Sequence, residues 1–393
     1  MTERIYLDWN ATAPLRPAAR AALTAAFGQV GNPSSVHAEG RSARHLVEMA
    51  REQVAALVGA PPGGVIFTSG GTEANMLALT PMIEAMSGRG RLNRVLVSAV
   101  EHPSVRSGGR FPPDKIEEIP VTPEGIVDLA WLKLRLEDLY RRGERVLVSI
   151  MHANNETGVV QPIAEAAEIV GSVDSILHVD AVQTAGRIPC DIKALGANLL
   201  TVSGHKLGGP QGSGALVMWS ERFRLDEPLI KGGGQERGHR AGTENVAAIV
   251  GFGAAAQAAR ETLAAEGARI AALRERLETG LRELASSTVI FGVGAERLPN
   301  TSLFAVPGLK AETALIALDL DGVSVSSGSA CSSGKVAPSH VLAAMGVAPD
   351  LAGGAIRVSL GWETRENEVE RFLIAWSKVV SRLSKGEQTG LAA

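Results

Sequence analysis

Cysteine is nearly absent: the 393-residue chain has 2, Cys190 and Cys331. No CxxC pair or Cys/His cluster with zinc spacing accompanies them, which excludes a disulfide framework and a zinc ribbon and fits a reducing compartment. Aromatic residues are scarce at 4%, and neither sign of charge dominates, with 39 basic and 42 acidic residues giving a formal net charge of -3. Such a balance offers no overall electrostatic footprint to a nucleic-acid backbone or an anionic membrane. No apolar run approaches the length of a membrane span. The opening residues carry Glu3 and Asp8 and no apolar core of signal type. These absences predict a soluble, cytoplasmic protein of small-molecule chemistry, with no nucleic-acid or membrane partner.

What is present is 45% hydrophobic residues, 21% charged residues and 44 glycines, the composition of a globular chain rich in turns. The length suggests two domains. Short β-branched runs at Val65–Thr68, Val95–Val100, Val146–Met151, Ile176–Val179, Leu199–Val202 and Ala215–Met218 alternate with amphipathic stretches. That alternation predicts an α/β fold, a mainly parallel sheet with helices on both faces and ligands outside the carboxyl ends of its strands. A helix is expected from Asn75 to Met86, and a long boundary helix from Gly253 to Ala285, where Ile270, Leu273, Leu277 and Leu281 fall near helical spacing. Strand-like pieces at Thr301–Val306 and Ile356–Leu360 and a charged helix from Arg365 predict a smaller α+β domain. Frayed ends are expected from Ser384 onward.

The segment Thr201–Gly214 (TVSGHKLGGPQGSG) carries the most chemistry. A lone lysine after a strand is ordinarily a solvated charge. Here glycines permit close backbone approach to Lys206, and Ser203 and His205 add hydrogen bonds, the setting of a Schiff-base lysine holding an aldehyde cofactor. Such a cofactor, pyridoxal phosphate, needs a carboxylate on its ring nitrogen. Asp180 ends a buried-looking strand one βα unit earlier, with Gln183 a turn further on; capping the next helix is its plainer role. A phosphate cradle is available where Ser69-Gly70-Gly71-Thr72 passes from strand into helix, because N–H groups and the helix dipole converge there. An ordinary helix cap would look similar. Residues 328–335 miss the GxxxxGK loop in spacing, and the glycines at 251 and 253 lie in a helix rather than after a strand, so neither nucleotide motif is read here.

Taken in order, the motifs at residues 6–12 (YLDWNAT), 31–37 (GNPSSVH), 67–75 (FTSGGTEAN), 101–105 (EHPSV), 154–158 (NNETG), 178–183 (HVDAVQ), 203–206 (SGHK), 233–238 (GGQERG), 240–245 (RAGTEN), 326–332 (SSGSACS) and 356–361 (IRVSLG) span nearly the whole chain. This pattern resembles the class V aminotransferase superfamily of fold-type I pyridoxal-phosphate enzymes, and within it the cysteine desulfurases of the NifS/IscS type. The resemblance implies a cofactor-binding sheet of the seven-stranded type in a large domain over residues 16–256, with residues 1–15 and 257–393 forming a small domain that carries the Cys331 loop. It assigns Lys206 to the cofactor aldehyde, Asp180 to the ring nitrogen and His102 to the ring face. Asn155 and Gln183 serve the phenolic-oxygen region. Gly71, Thr72, Ser203 and His205 hold the phosphate, joined by Thr243 from the neighbouring subunit of a homodimer. Arg357, with Asn155, binds the substrate carboxylate. Trp9 and Gly204 depart from the family's usual residues without removing a functional group.

Cys331 lies among small residues too poor in apolar side chains to pack, so an exposed, mobile loop and a reactive thiol are expected there. Cys190, beside apolar neighbours, reads as core. The resemblance implies that L-cysteine yields L-alanine and a persulfide on Cys331, with Lys206 moving the α-proton and His102 handling the thiol proton. The sulfur then goes to an acceptor or iron–sulfur scaffold protein. No intrinsic metal site is expected, although Cys331 could touch a nascent cluster on that scaffold. A selenocysteine lyase or another class V aminotransferase, either without need of Cys331, is the enzymatic alternative. A silent binding protein of the same fold is a rival of another kind, and retention of Lys206, Asp180, Arg357 and Cys331 together argues against it.

Overall fold

The computed structural model describes residues 4–84, 91–221, 223–225, 227–328 and 338–390, with backbone alone at 83–84 and 382–390. Seven strands form the central sheet: β1 (Val65–Thr68), β2 (Arg94–Ser98), β3 (Ile116–Ile119), β4 (Val146–Ser149), β5 (Ile176–Asp180), β6 (Leu199–Ser203) and β7 (Gly214–Met218). Their order is β1-β7-β6-β5-β4-β2-β3, and only β7 runs antiparallel to its neighbours. Successive side chains of a strand point to opposite faces. Accordingly Val65, Phe67, Val146 and Val148 join one apolar cluster, while Ile66 and Leu147 join another. Both faces are covered, and each fully buried aliphatic contributes about 1.5–3 kcal/mol.

On the first face lie α1 (Pro17–Phe27) and α2 (Ala38–Leu57), packed against the start of the 39-residue helix α6 (Val246–Leu284). In α2 the buried Ala43, Val47, Ala50, Val54 and Leu57 recur every three or four residues, the period of one helical face. Helix α3 (Gly71–Ala78) packs on β6 and β7, while α4 (Leu129–Arg141) and α5 (Ile163–Gly171) pack together.

A second sheet is antiparallel throughout: β8 (Val289–Ile290), β9 (Thr301–Ala305), β11 (Ile356–Ser359) and β10 (Ser326–Ser327), in that order. It is covered by α7 (Ala311–Leu320) and α8 (Glu366–Gly390), whose Trp376 sits edge-on to Phe304 at 5.2 Å and stacks on Phe372. Ile5 and Leu7 belong to this second core. Helix α6 serves both: Ile249, Phe252, Ala255 and Ala256 join the large cluster, Ile270, Leu273, Leu277 and Leu281 the small one. The division expected at residues 256/257 therefore falls inside a single helix.

Two local expectations change, and one strand had not been expected. The helix expected through Met86 ends at Ala78: Leu79 leaves helical conformation at ψ 64°, Pro81 could not have continued the hydrogen-bond ladder, and Ile83–Glu84 is extended. Helix α8 keeps its backbone regular to Gly390, past the fraying point expected at Ser384. Strand β3 gave no signal, since its two central residues are glutamates. In the fold they sit on the sheet edge, Glu117 on the Arg135 guanidinium at 2.8 Å and Glu118 on Arg106.

Candidate active site

The C-terminal ends of the parallel strands deliver the polar groups, as an open α/β sheet requires. Strand β6 ends at Ser203 and passes into one tight turn, Gly204–Lys206. Lys206 Nζ donates to the carbonyl oxygens of Asn10 and, at 2.8 Å, of Ala11. The turn is followed by Gly208 at φ 90°, where a Cβ would stand 2.5 Å from the Trp362 ring. Only glycine fits there. Beside the lysine, His205 is pushed down to about 4 by burial and then by the charges of Lys206 and Arg187, so its imidazole is neutral.

Asp180 is the buried last residue of β5. Its Oδ2 accepts from Asn75 Nδ2 at 2.8 Å and its Oδ1 from the Val182 N–H at 3.0 Å, which fixes the carboxylate plane. Asn75 rises from α3, and its Oδ1 has no partner among the described residues. His102 caps the turn Pro103–Arg106, its Nδ1 accepting from the Ser104 N–H at 3.1 Å. Burial lowers its pKa, Asp180 opposes that, and Lys206 adds to it. The neighbouring Glu101 is wholly buried, and burial reinforced by Asp180 raises its carboxyl well above the usual range.

The turn from β1 into α3 carries no side-chain cap, which leaves the first N–H groups of the helix for a ligand. Gly71 touches the β6 end directly: a Cβ there would lie 3.0 Å from Val182 Cγ2 and 3.4 Å from Ser203 Cβ. Arg357 comes from β11 of the second sheet and is 2% exposed. Its Nη2 donates to Asp8 Oδ1 at 2.8 Å and its Nη1 to the Asn155 carbonyl at 3.0 Å, while Nε has no partner among the described residues. Gln183 Nε2 donates to the Asn10 carbonyl at 3.1 Å.

One cavity of about 280 Å³ is lined by Lys206, Asp180, His102, Gly71, Thr72, Asn155, Gln183, Ser203, His205 and Arg357. Sequence reasoning thus found side chains that the fold gathers from six separate segments. Thr243 does not line this cavity in its own chain: it is exposed, and borders a different one of about 170 Å³ with Ser69 and Arg240. Its segment is anchored by the buried Arg51–Glu236 pair at 2.7 Å, with Glu236 and Arg237 both at positive φ. Cys331 lies outside the described residues. Cys190 is buried, and burial pushes its thiol up to about 12. Sequence reasoning missed Asn10 and Asn75. Both stand inside quoted motifs, but Asn10 meets Lys206 through its backbone carbonyl, which no residue type announces. Among the described residues no helix is long and apolar enough to cross a membrane, and no group of three His, Cys, Asp or Glu could hold a metal.

The family model for class V aminotransferases matches residues 5–372. A cysteine desulfurase IscS of Dictyoglomus turgidum is 40% identical over 387 residues, 98% of this chain and 96% of the relative. The cysteine desulfurase NifS of Azotobacter vinelandii is 37% identical over 385 residues, 96% of this chain and 93% of its own. Among solved structures, a NifS-like protein from Rickettsia africae superposes with a TM-score of 0.87 at 37% identity, covering 96% of this chain and 100% of that one. A sheet whose lysine, aspartate and helix start converge on one cavity, and relatives that match it from end to end, lead to one assignment: the chain belongs to the class V aminotransferase family and, within it, to the cysteine desulfurases.

Proposed function

We propose that the cavity holds pyridoxal 5'-phosphate on Lys206, and that the enzyme takes sulfur from L-cysteine, releasing L-alanine and leaving a persulfide on Cys331. The observation that carries this is the convergence of Lys206, Asp180, His102, the open start of α3 and Arg357 on a single cavity. The residues fit the cofactor. The uncapped helix start with Gly71 and Thr72, together with Ser203 and the neutral His205, suits a phosphate. Asp180, held by Asn75 and the Val182 N–H, suits a protonated ring nitrogen, while His102 suits the ring face and Asn155 and Gln183 the phenolic oxygen. When bound, the cofactor supplies the electron sink for the bonds broken at the substrate's carbons.

The chain's own groups do the rest. Lys206 Nζ moves the substrate α-proton. Arg357, with Asn155 beside it, takes the substrate carboxylate, for which its unpartnered Nε is available. His102 is neutral at pH 7 and accepts the thiol proton. The Cys331 thiolate attacks the substrate sulfur: a sulfur–sulfur bond forms, the carbon–sulfur bond breaks, and the carbon gains a proton to become the methyl group of alanine. The persulfide is then delivered to an acceptor, an iron–sulfur scaffold protein. We further read the enzyme as a cytoplasmic homodimer in which Thr243 of each subunit reaches the phosphate of the other. The test is mass spectrometry of Cys331 after incubation with L-cysteine. One added sulfur, with stoichiometric alanine, is expected; an unmodified Cys331 with no alanine formed would overturn the reading.

A further inference from the structure

Beneath the cavity lies a cation that the chemistry above leaves without a task. Arg187 follows Gln183 by one turn and keeps some solvent exposure. Its Nη1 donates to Asn10 Oδ1 at 2.8 Å, to Gln183 Oε1, and to the Gln183 carbonyl at 3.3 Å; its Nη2 donates to the carbonyls of Trp9 at 3.1 Å and Lys206 at 3.2 Å. Every one of these acceptors is a neutral oxygen, and among the described residues no carboxylate pairs with the guanidinium. A charge desolvated without an opposite partner is costly, and burial, followed by the charge of Arg357, pushes this one down to about 9. The same lack leaves its positive field uncancelled.

That field falls where the reactive amine stands. Asn10 links the guanidinium to the amine, its side-chain oxygen taking Arg187 while its carbonyl takes Lys206 Nζ and Gln183 Nε2. Around the amine, among the described residues, stand Asp180 and His102, His205 next in the chain, Arg357 from β11 with its partner Asp8, and Glu266, which lines a neighbouring cavity with Lys206 and Arg187 and is paired with Arg16. The Asn10 and Ala11 carbonyls and Asp180 favour an ammonium; Arg187 opposes it, while the field of Arg357 is offset by its partner Asp8.

We propose that Arg187 is a positioning residue for the reactive lysine: its fork holds the Asn10–Gln183–Lys206 frame in register, and its unpaired charge keeps the Lys206 amine in the uncharged, nucleophilic form. A neighbouring cation is an established way to activate a lysine amine. This rests on Lys206 being the reactive amine, not on the identity of the substrate.

The test follows acylation of Lys206 by a water-soluble ester against pH, read by mass spectrometry on the full-length chain stripped of any bound cofactor. It therefore stays informative even if the desulfurase reading fails. In wild type the Lys206 midpoint should lie at least about one pH unit below that of the exposed Lys193. Arg187→Met should raise the Lys206 midpoint by about one unit, and Arg187→Lys, which keeps the charge, by no more than about a third of that. A wild-type midpoint equal to that of Lys193 overturns the proposal whether or not the variants fold. So does a Met variant titrating like wild type, or a Lys variant shifting as far as Met.

Discussion

Glu156 offers a perturbation whose size follows from its surroundings. It sits in the turn after β4, 4% exposed, and its Oε2 accepts from the Ser339 hydroxyl at 2.5 Å. Burial lifts its carboxyl from an ordinary 4.5 to about 7, against the smaller opposing pulls of Ser339 and Arg357. Between those values the folded chain keeps a proton that the unfolded chain has released, so stability falls as pH rises through the window and levels off above it. At about 1.36 kcal/mol per unit, the shift corresponds to about 3 kcal/mol. Glu156→Gln mimics the protonated form, keeps an oxygen for Ser339 and has no proton to lose. Relative to wild type, the variant should gain about 2 to 3 kcal/mol on moving from pH 5 to pH 8, measured by urea unfolding at one cofactor concentration. His152, His178 and His205, held to about 4, 3 and 4 first of all by burial, act in the opposite sense, losing stability as pH falls below 6.5. They are common to both proteins and cancel in the difference. An equal gap between variant and wild type at the two pH values would refute the reasoning.

Lys206→Ala should abolish covalent retention of pyridoxal phosphate, seen as loss of the yellow colour after desalting; a protein that stays yellow would move the attachment elsewhere. Cys331→Ala should still bind L-cysteine, read as a spectral change, yet form no alanine, whereas Cys190→Ala should turn over nearly as wild type because its buried thiol does no chemistry. Wild-type alanine output from Cys331→Ala would favour the lyase or aminotransferase alternative. Light scattering should report a dimer, and Thr243→Ala should weaken cofactor affinity by about tenfold, the value of one lost charged hydrogen bond. A fully active monomer would remove the shared-site reading.

What the sequence disclosed and what it hid divide along physical lines. The six runs read as strands became β1, β2 and β4 to β7, because buried strands of an α/β sheet are apolar on both faces. Strand β3 was illegible because edge strands trade apolar residues for charge. That Lys206, Asp180 and Arg357 belong to one site was legible because charged side chains within recognisable motifs stand out in sequence, and the fold brings the three to one cavity. The supports of the site were not: Asn75 holds Asp180 across 105 positions, and the Asn10 and Ala11 carbonyls hold Lys206 across nearly 200. Contacts made by backbone oxygens, or by amides at such separations, leave no trace in composition, period or spacing.

The placement of Asn10 also sets an order of events during synthesis. Its backbone N–H donates to Ser359 Oγ at 2.9 Å, its Nδ2 to Thr301 Oγ1 at 2.9 Å, and its Oδ1 accepts from Asn300 Nδ2 at 3.0 Å. The segment around Asn10 is thus locked in place by residues made about 290 to 350 positions later, while the lysine it aims lies between them. A nascent chain can complete the large sheet and still lack the frame that directs Lys206. The Lys206 amine therefore gains the carbonyl contacts described above in their final frame only after β11 has emerged.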